Sequence, residues 1–518
     1  MIQTTPISST TLPPTTAKRG QLLRINFLLL LIALPLMLIK LSIYPTPWYD
    51  EGYSIQVSQS VVHDGFYGTY NATEGYRPFD PTISSGPMTI LPVALAFKLF
   101  GSGYVQARTV IVIYGILGLL VAYALTRDLF GPTIALVSVL LMLFPGFFTF
   151  EAVGYIQLSR QMLGEVPSFA LIMLGLWIWF SNWERGNIGL LALSGIMMGL
   201  GVSSKPQVIF TFGTAIGIIA LIRTFRKPRW FLRYMLPPAL VVGVFVVWTM
   251  IQNAGMTPEM RQESPALLLE AMQLHFFTGL FGRTISNTGW LLTAVMILGG
   301  VATLFLLGWR RKPNTLLTGQ EWGMATLSLI AILMAIWYAF LSVGFERYTF
   351  LGFMCSLLLL GNLAYKVVMA LAQRLHINSQ YAYMGLVIVL LLVVVGGNAY
   401  TIVSHWRDEN SVQEMADYID ANVPATAIVE SIEVELNSLT THREIHRANY
   451  TYLYKAIRQR WHENIPFDLK YNVLQADPDY LVVGQTSTWL ELYNKTIVRL
   501  SFKPVVQFGG YQLLQRIR

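Results

Sequence analysis

Between Pro87 and Phe100 the chain reads Pro87-Met88-Thr89-Ile90-Leu91-Pro92-Val93-Ala94-Leu95-Ala96-Phe97-Lys98-Leu99-Phe100. The run is apolar enough for a membrane, but about fourteen residues are too few to cross as a helix, and Pro92 and Lys98 interrupt it. Segments of this kind lie along the membrane surface or re-enter it. The reading fixes the sidedness of everything that follows, because one extra crossing inverts every later loop. The loops beyond it carry Arg127, Arg185, the cluster Arg223, Arg226, Lys227, Arg229 and Arg233, then Arg310, Arg311 and Lys312, and finally Lys366 and Arg374. Lys and Arg collect in cytoplasmic loops. With 87–100 in the interface, these residues share the cytoplasmic side with Lys18, Arg19 and Arg24 of the N-terminal segment. With 87–100 crossing, all of them move to the other side while the basic tail stays behind. The interfacial placement is therefore preferred.

The remaining apolar runs fall near 25–44, 108–126, 132–150, 167–183, 188–204, 207–223, 234–251, 288–308, 323–342, 348–365 and 382–402, each near the length of a bilayer-crossing helix. The chain is 54% hydrophobic and only 12% charged, where a soluble protein keeps about a quarter of its residues charged. The expected fold is an all-α polytopic membrane bundle of about eleven transmembrane helices with a small C-terminal extracytoplasmic α/β domain. Residues 1–20, rich in Ser, Thr and Pro, read as a disordered cytoplasmic tail. Residues 21–403 form the transmembrane module, with a first outer loop over 45–107, and 404–518 the soluble domain. The first apolar run is too long for the core of a signal peptide and no small-residue cleavage site follows, so an uncleaved helix is expected. The protein is then integral to the plasma (inner) membrane, its N-terminus cytoplasmic and its C-terminal domain outside.

Net charge is +8, but no Lys/Arg stripe is interleaved with stacking aromatics, which excludes nucleic acid as a partner. The single Cys355 sits inside an apolar run, which excludes disulfides and thiolate metal sites. In the soluble domain, 409–423 reads as an amphipathic helix ended by Pro424, 426–431 and 480–483 as buried strands, and 505–514 as a hairpin around Gly509-Gly510. No residues there have catalytic spacing. Sequons at Asn71, Asn449 and Asn494 all fall on the outer side. Leu267, Leu268, Met272 and Phe276 have the spacing of a second interfacial helix within 252–287.

The polar residues that need an account gather on the outer face. Asp50 and Glu51, between Trp48-Tyr49 and Tyr53, follow the first helix closely. A carboxylate at a dry membrane face suits general-base work on a hydroxyl, or else opens the next helix as a cap. Glu165 precedes Pro167 at the mouth of the fourth span, where it either complements the helix dipole or joins a site, with Arg160 as its partner or as an anion ligand. Lys205 stands at an outer Lys-Pro turn and either snorkels or meets a lipid phosphate. Arg347, in the turn Glu346-Arg347-Tyr348, pairs with Glu346 or binds phosphate through its guanidinium fork. His63, Arg77, Asp80 and His275 are also outside, as loop residues or as members of a common site. No Asp, Glu or Lys lies near the middle of a span, where a proton-coupled transporter needs one. The pattern favours an enzyme facing a lipid-borne substrate over a flippase, a transporter or a non-catalytic scaffold.

Over about 25–370 the chain resembles the C-type membrane glycosyltransferases, the class of the protein O-mannosyltransferases and the aminoarabinose transferases. The resemblance rests on the acidic pair Asp50-Glu51 in the first outer loop and on the interfacial helix from Gly86-Pro87 to Phe100-Gly101 followed by Arg108. Glu165-Val166-Pro167, the Lys205-Pro206 turn and Arg347-Tyr348 extend it. Family members often carry His-Pro-Pro where this chain has Ser85-Gly86-Pro87. The resemblance implies an inverting transfer of a sugar from a polyprenyl-phosphate donor to a hydroxyl of a protein, lipid or glycan acceptor outside the cytoplasm. An oligosaccharyltransferase or glycan ligase on the same fold is the alternative. It implies catalytic roles for Asp50, Glu51 and Glu165, and donor or phosphate contacts from Lys205, Arg347, Arg160, Glu346, Tyr348 and Arg77. A divalent metal ion is the one cofactor left open, with Asp50, Glu165 and His63 as its candidate ligands. The sidedness is open to a direct check. In intact cells a cysteine introduced beside Arg229 should be shielded from an impermeant thiol reagent, and one beside Asn494 should react; the reverse pattern overturns the placement.

Overall fold

Each of the eleven apolar runs carries a helix. The computed structural model describes residues 16–72, 75–79, 85–144, 153–256, 286–309, 317–342, 344–405, 410–442, 444–449 and 471–518, with a few single positions between them. Among the described residues seven helices are long and apolar enough to cross a membrane: Tyr104–Phe130, Pro206–Arg226, Pro228–Gly255, Asn287–Trp309, Gly319–Leu341, Glu346–Arg374 and Ser379–Ser404. The other four expected spans are the helices Thr16–Leu38, Pro132–Met142, Glu165–Asn182 and Ile188–Ser204. The fold is thus the expected helical membrane bundle with a small sheet-containing C-terminal part. We label the early elements α1 (Thr16–Leu38), α2 (Tyr49–His63), β1 (Gly68–Asn71), β2 (Gly75–Pro78), α3 (Pro87–Phe100), α4 (Tyr104–Phe130) and α5 (Pro132–Met142). The short α6 (Tyr155–Leu158), α7 (Glu165–Asn182) and α8 (Ile188–Ser204) follow.

The decisive run is a 14-residue helix, α3, opened by Pro87 at its first turn. Ile90, Val93, Ala94 and Phe97 are buried against the bundle, while Leu91, Leu95 and Leu99 are 45%, 58% and 63% exposed. Positions four apart share a helix face, so one side of α3 is a leucine stripe turned away from the protein, as a helix lying in the interface requires. The second interfacial helix expected within 252–287 lies largely outside the described residues.

The C-terminal sheet has the strand order β4-β3-β5-β7-β6, with β3 (Val429–Glu430), β4 (Ile445–His446), β5 (Tyr480–Val483), β6 (Phe502–Phe508) and β7 (Tyr511–Arg516). β3 runs parallel to β4 and β5, and β7 is antiparallel to β5 and β6. Alternation along the strands feeds two apolar layers. Leu481 and its partner Leu514 enter one with Ile432 and Phe502, and Val482 and its partner Leu513 enter the other with Val412, Met415 and Ile419 from the helix Ser411–Asn422. The Asn494 side chain caps the helix Lys495–Ser501 by accepting from the Thr496 and Ile497 amides.

This part of the chain sits on α2. A Cβ at Gly52 would run into the backbone of Glu435, in the short helix Val434–Asn437. Tyr104 donates its hydroxyl to the Glu435 carbonyl (3.1 Å) and Gln59 its amide to the Ser438 carbonyl (2.9 Å). The Glu435 side chain is buried and accepts from the Tyr511 hydroxyl at 2.9 Å. Burial first, and the neighbouring Glu433 second, hold its carboxyl well above the usual range. A raised acid favours its protonated form in the fold. The stability this contributes is complete below the ordinary carboxylate range and is lost as pH rises through the raised value. Thermal unfolding between pH 5 and pH 8 should show stability falling by up to about 1.4 kcal/mol per pH unit for this one proton. Glu435→Gln should flatten that slope, and an undiminished slope in the variant removes Glu435 as its source.

Candidate active site

Asp50 and Glu51 occupy the first turn of α2, where the helix dipole favours acids. Consecutive helical residues point in different directions, and the pair divides. Glu51 is fully buried and takes two hydrogen bonds from Arg108, from Nε at 2.8 Å and Nη2 at 2.7 Å, and a third from the Met162 amide at 3.0 Å. Arg108 spends its other donors on the Leu41 carbonyl (2.8 Å) and the Pro45 carbonyl (2.7 Å). Glu51 therefore fastens α2 to α4 and to the segment ahead of α7.

Asp50 points the other way. Its Oδ2 lies 2.6 Å from Arg347 Nη2, in the turn Glu346–Thr349, and the Arg347 guanidinium lies 4.3 Å from the centre of the Trp48 ring. Arg347 Nε lies 3.9 Å from Glu165 Oε1, in the first turn of α7, and that same oxygen is 2.6 Å from Lys205 Nζ. Lys205 ends α8 and rests 4.7 Å above the Tyr348 ring. Burial pushes its ammonium below the ordinary lysine range, with Glu165 acting in the opposite direction. Acid, base, acid and base thus alternate along Asp50, Arg347, Glu165 and Lys205, four residues from four separate stretches of chain. A cavity of about 310 Å³ opens beside them, lined by Trp48, Leu158, Gln161, Phe345, Glu346 and Arg347.

The end of α8 is held by α3. The Gly86 amide donates to the Ser204 carbonyl at 3.0 Å, and a Cβ at Gly86 would run into the Ser203 carbonyl oxygen. Proline has no N–H to give and too much bulk for that approach. This is the physical reason for Ser85-Gly86-Pro87 in place of His-Pro-Pro, and it places the α3 start one residue from Lys205.

The other expected residues are engaged differently. Arg160 is buried away from this cluster and closes the end of α1, donating Nη1 to the Leu36 carbonyl (2.9 Å) and Nη2 to the carbonyls of Tyr44 (2.9 Å) and Ile39. Its expected contact with an anion gives way to capping a helix end. Glu346 accepts from the Ser286 hydroxyl at 2.7 Å on the rim of the cavity. Arg77 stands opposite Thr69 in the β1–β2 hairpin. His63 is the last residue of the 15-residue α2, so it lies roughly 20 Å along the helix from Asp50. Asp50, Glu165 and His63 therefore cannot share one ion, and the two carboxylates already face cations, so this donor set does not fit the metal left open by the sequence. Asp80 and His275 fall outside the described residues. Sequence reasoning missed Trp48 as the platform for Arg347 and Arg108 as the partner of Glu51. An Arg in the first turns of an apolar span was the available signal for the second, since such a charge requires a partner.

The family model described as dolichyl-phosphate-mannose-protein mannosyltransferase matches residues 84–252, a stretch that holds Arg108, Glu165 and Lys205. No curated protein matches the sequence significantly. Among solved structures, ArnT from Cupriavidus metallidurans bound to undecaprenyl phosphate is similar over 97% of this chain and 99% of its own, with a TM-score of 0.62 at 14% identity. The apo oligosaccharyltransferase of Archaeoglobus fulgidus is similar over 98% of this chain and 75% of its own, with a TM-score of 0.53 at 14% identity. The same organism's AglB in complex with an inhibitory peptide and a dolichol-phosphate has a TM-score of 0.51 at 13% identity, over 97% of this chain and 75% of its own. At these identities the likeness is one of fold, and it is the fold that the outer-loop motifs implied: the chain is an integral membrane protein with the architecture of the C-type membrane glycosyltransferases.

Proposed function

We propose that this protein is an inverting glycosyltransferase that moves a sugar from a polyprenyl-phosphate donor to an acceptor hydroxyl on the extracytoplasmic face. The observation that carries the reading is the alternating array Asp50–Arg347–Glu165–Lys205 beside a cavity at the ends of apolar helices. Two cations there, one of them a planar fork on an aromatic face, suit a lipid phosphate. The likeness to proteins solved with undecaprenyl phosphate and dolichol-phosphate supports the same donor class.

In this mechanism Asp50 takes the proton of the acceptor hydroxyl while its oxygen bonds to the anomeric carbon. The bond from that carbon to the phosphate oxygen breaks, and the phosphate leaves with the electron pair. Lys205 and Arg347 stabilise the charge that grows on the leaving oxygen. The Asp50–Arg347 pair adds an order to these events. In the arrangement seen here Arg347 occupies Asp50 Oδ2. A phosphate that draws Arg347 to itself frees Asp50 for the acceptor, so donor binding readies the base. Glu165 then holds Lys205 in place. Transfer of a whole glycan is the second reading, from the likeness to the Archaeoglobus fulgidus oligosaccharyltransferase. A cavity of about 310 Å³ is at the small end of ligand sites and favours a single sugar.

Asp50→Asn keeps the shape of the side chain and removes the proton acceptor. Turnover of lipid-linked sugar by the purified variant should fall about 100- to 10,000-fold, with undecaprenyl phosphate binding retained; turnover equal to the parent's sinks the mechanism. Lys205→Ala and Arg347→Ala should each weaken undecaprenyl phosphate binding by about 1.5–3 kcal/mol, and Arg347→Lys should not restore the fork. Unchanged binding in both alanine variants takes these residues out of the site. Glu51→Ala should instead fail in stability, by about 3–5 kcal/mol, because Arg108 is left buried without its acid. A variant of parental thermal stability would contradict the anchoring role.

A further inference from the structure

A second and larger cavity, about 770 Å³, lies between the far half of α2, the β1–β2 hairpin and the C-terminal segment around 437–447. None of its lining residues belongs to the array around Arg347. We propose that this cleft is a saccharide-binding site that holds a neutral glycan acceptor, an assignment that rests on the transferase reading and names the acceptor class for it.

Three observations carry the proposal. The first is aromatic: Tyr70 and Tyr76, directly paired across the hairpin, are 49% and 53% exposed, with ring centroids 5.1 Å apart and planes tilted by 57°. Rings left open in a concave site supply flat apolar area with a polar tip, and the C–H face of a pyranose is the complementary surface. The second is the polar lining. Gln56, Gln59, Ser60 and His63 fall on one face of α2 at helical spacing, and Asn437, Thr440 and Thr441 face them across the cleft. Amides and hydroxyls both donate and accept, which is what the hydroxyls of a sugar require and what an acyl chain cannot use. The third is charge. Arg447 and Asp64 offset one another, and Arg447 already donates to Gln56 Oε1 at 3.5 Å and to the Tyr70 carbonyl at 3.3 Å. Among the described lining residues Arg447 is thus the one Lys or Arg, unlike the paired cations of the array that surrounds Arg347.

Its placement suits an acceptor. Asp50 stands in the first turn of α2 and His63 ends it, so the proposed base and the cleft are fixed on one rigid rod, with Gln56 about 9 Å and His63 roughly 20 Å from Asp50 along its axis. A glycan held in the cleft is kept on the same helix that presents the general base.

The test is binding by the purified full-length protein of short neutral gluco- and manno-oligosaccharides, followed by saturation-transfer NMR beside undecaprenyl phosphate binding as a check of the fold. The parent should bind at least one saccharide. The double variant Tyr70→Ala/Tyr76→Ala should lose about tenfold or more in that affinity, as removal of two stacking rings predicts. Ser102→Trp, at an exposed position of the lining, should lose it by filling the cleft without cutting a contact. Both variants should bind undecaprenyl phosphate as the parent does. A parent that binds no saccharide, a Ser102→Trp variant that still binds one, or a Ser/Thr-rich peptide bound in its place each overturns the proposal. Those outcomes leave Asp50-dependent turnover standing, whereas normal turnover in Asp50→Asn with saccharide binding intact sinks the transferase reading alone.

Discussion

Glu51 and Arg108 meet where water does not reach, and the surroundings of Asp50 and Glu165 are arranged around their contact. A buried ion pair is a weak source of net stability but a strong constraint, because each charge is costly without the other. Here the guanidinium also ties down the Leu41 and Pro45 carbonyls, and the carboxylate also holds the Met162 amide. Four pieces of chain are therefore fixed at one point: the end of α1, the start of α2, the start of α4 and the approach to α7. Asp50 and Glu165 take their positions from two of these pieces, and so do the distances to Arg347 and Lys205.

The large features were legible because their signals are local and cumulative. Length and charge placed 87–100 at the interface, and α3 has those bounds. Alternation placed a strand at 480–483 and a hairpin around Gly509-Gly510, both of which form. Asp50, Glu165, Lys205 and Arg347 stood out because charge beside an apolar run needs a reason, and the structure brings these four together. Which partner each charge takes was not legible, since partner choice depends on the rotation of helices that are distant in sequence. Asp50 and Glu51 read as one acidic unit until the first turn of α2 sends them to opposite sides. Arg160, adjacent in sequence to the cavity residue Gln161, read as the partner of Glu165 or as an anion ligand, and its bonds to the carbonyls that close α1 join stretches far apart in the chain.

The C-terminal part holds the largest omission. Glu433 and Glu435 alternate with Ile432 and Val434, and Glu430 stands two residues before Ile432, yet all three glutamates are buried. Each takes at least one hydrogen bond from a residue elsewhere in the chain. Tyr471 donates to Glu430 at 2.8 Å alongside the His446 ring, and the amides of Gly484, Thr486 and Ser487 cap Glu433. Tyr511 donates to Glu435. Such networks specify one arrangement of the sheet and its neighbours, and the segment that bears them is the one lying against Gly52 of α2. The C-terminal part and the Asp50 helix are thus packed directly against one another.

The leucine stripe of α3 has a consequence for where chemistry can occur. Leu91, Leu95 and Leu99 face outward, while the other end of the same helix is bonded through Gly86 to the residue before Lys205. A helix seated in the boundary between headgroups and acyl chains takes its height from the lipid. With α3 at that boundary, as its sequence implies, it would act as a depth gauge, referencing the cationic end of the array to the plane where a lipid's phosphate resides. A thinner or more tightly compressed leaflet would then move gauge and phosphate together, and their alignment would be set by the bilayer as much as by the protein.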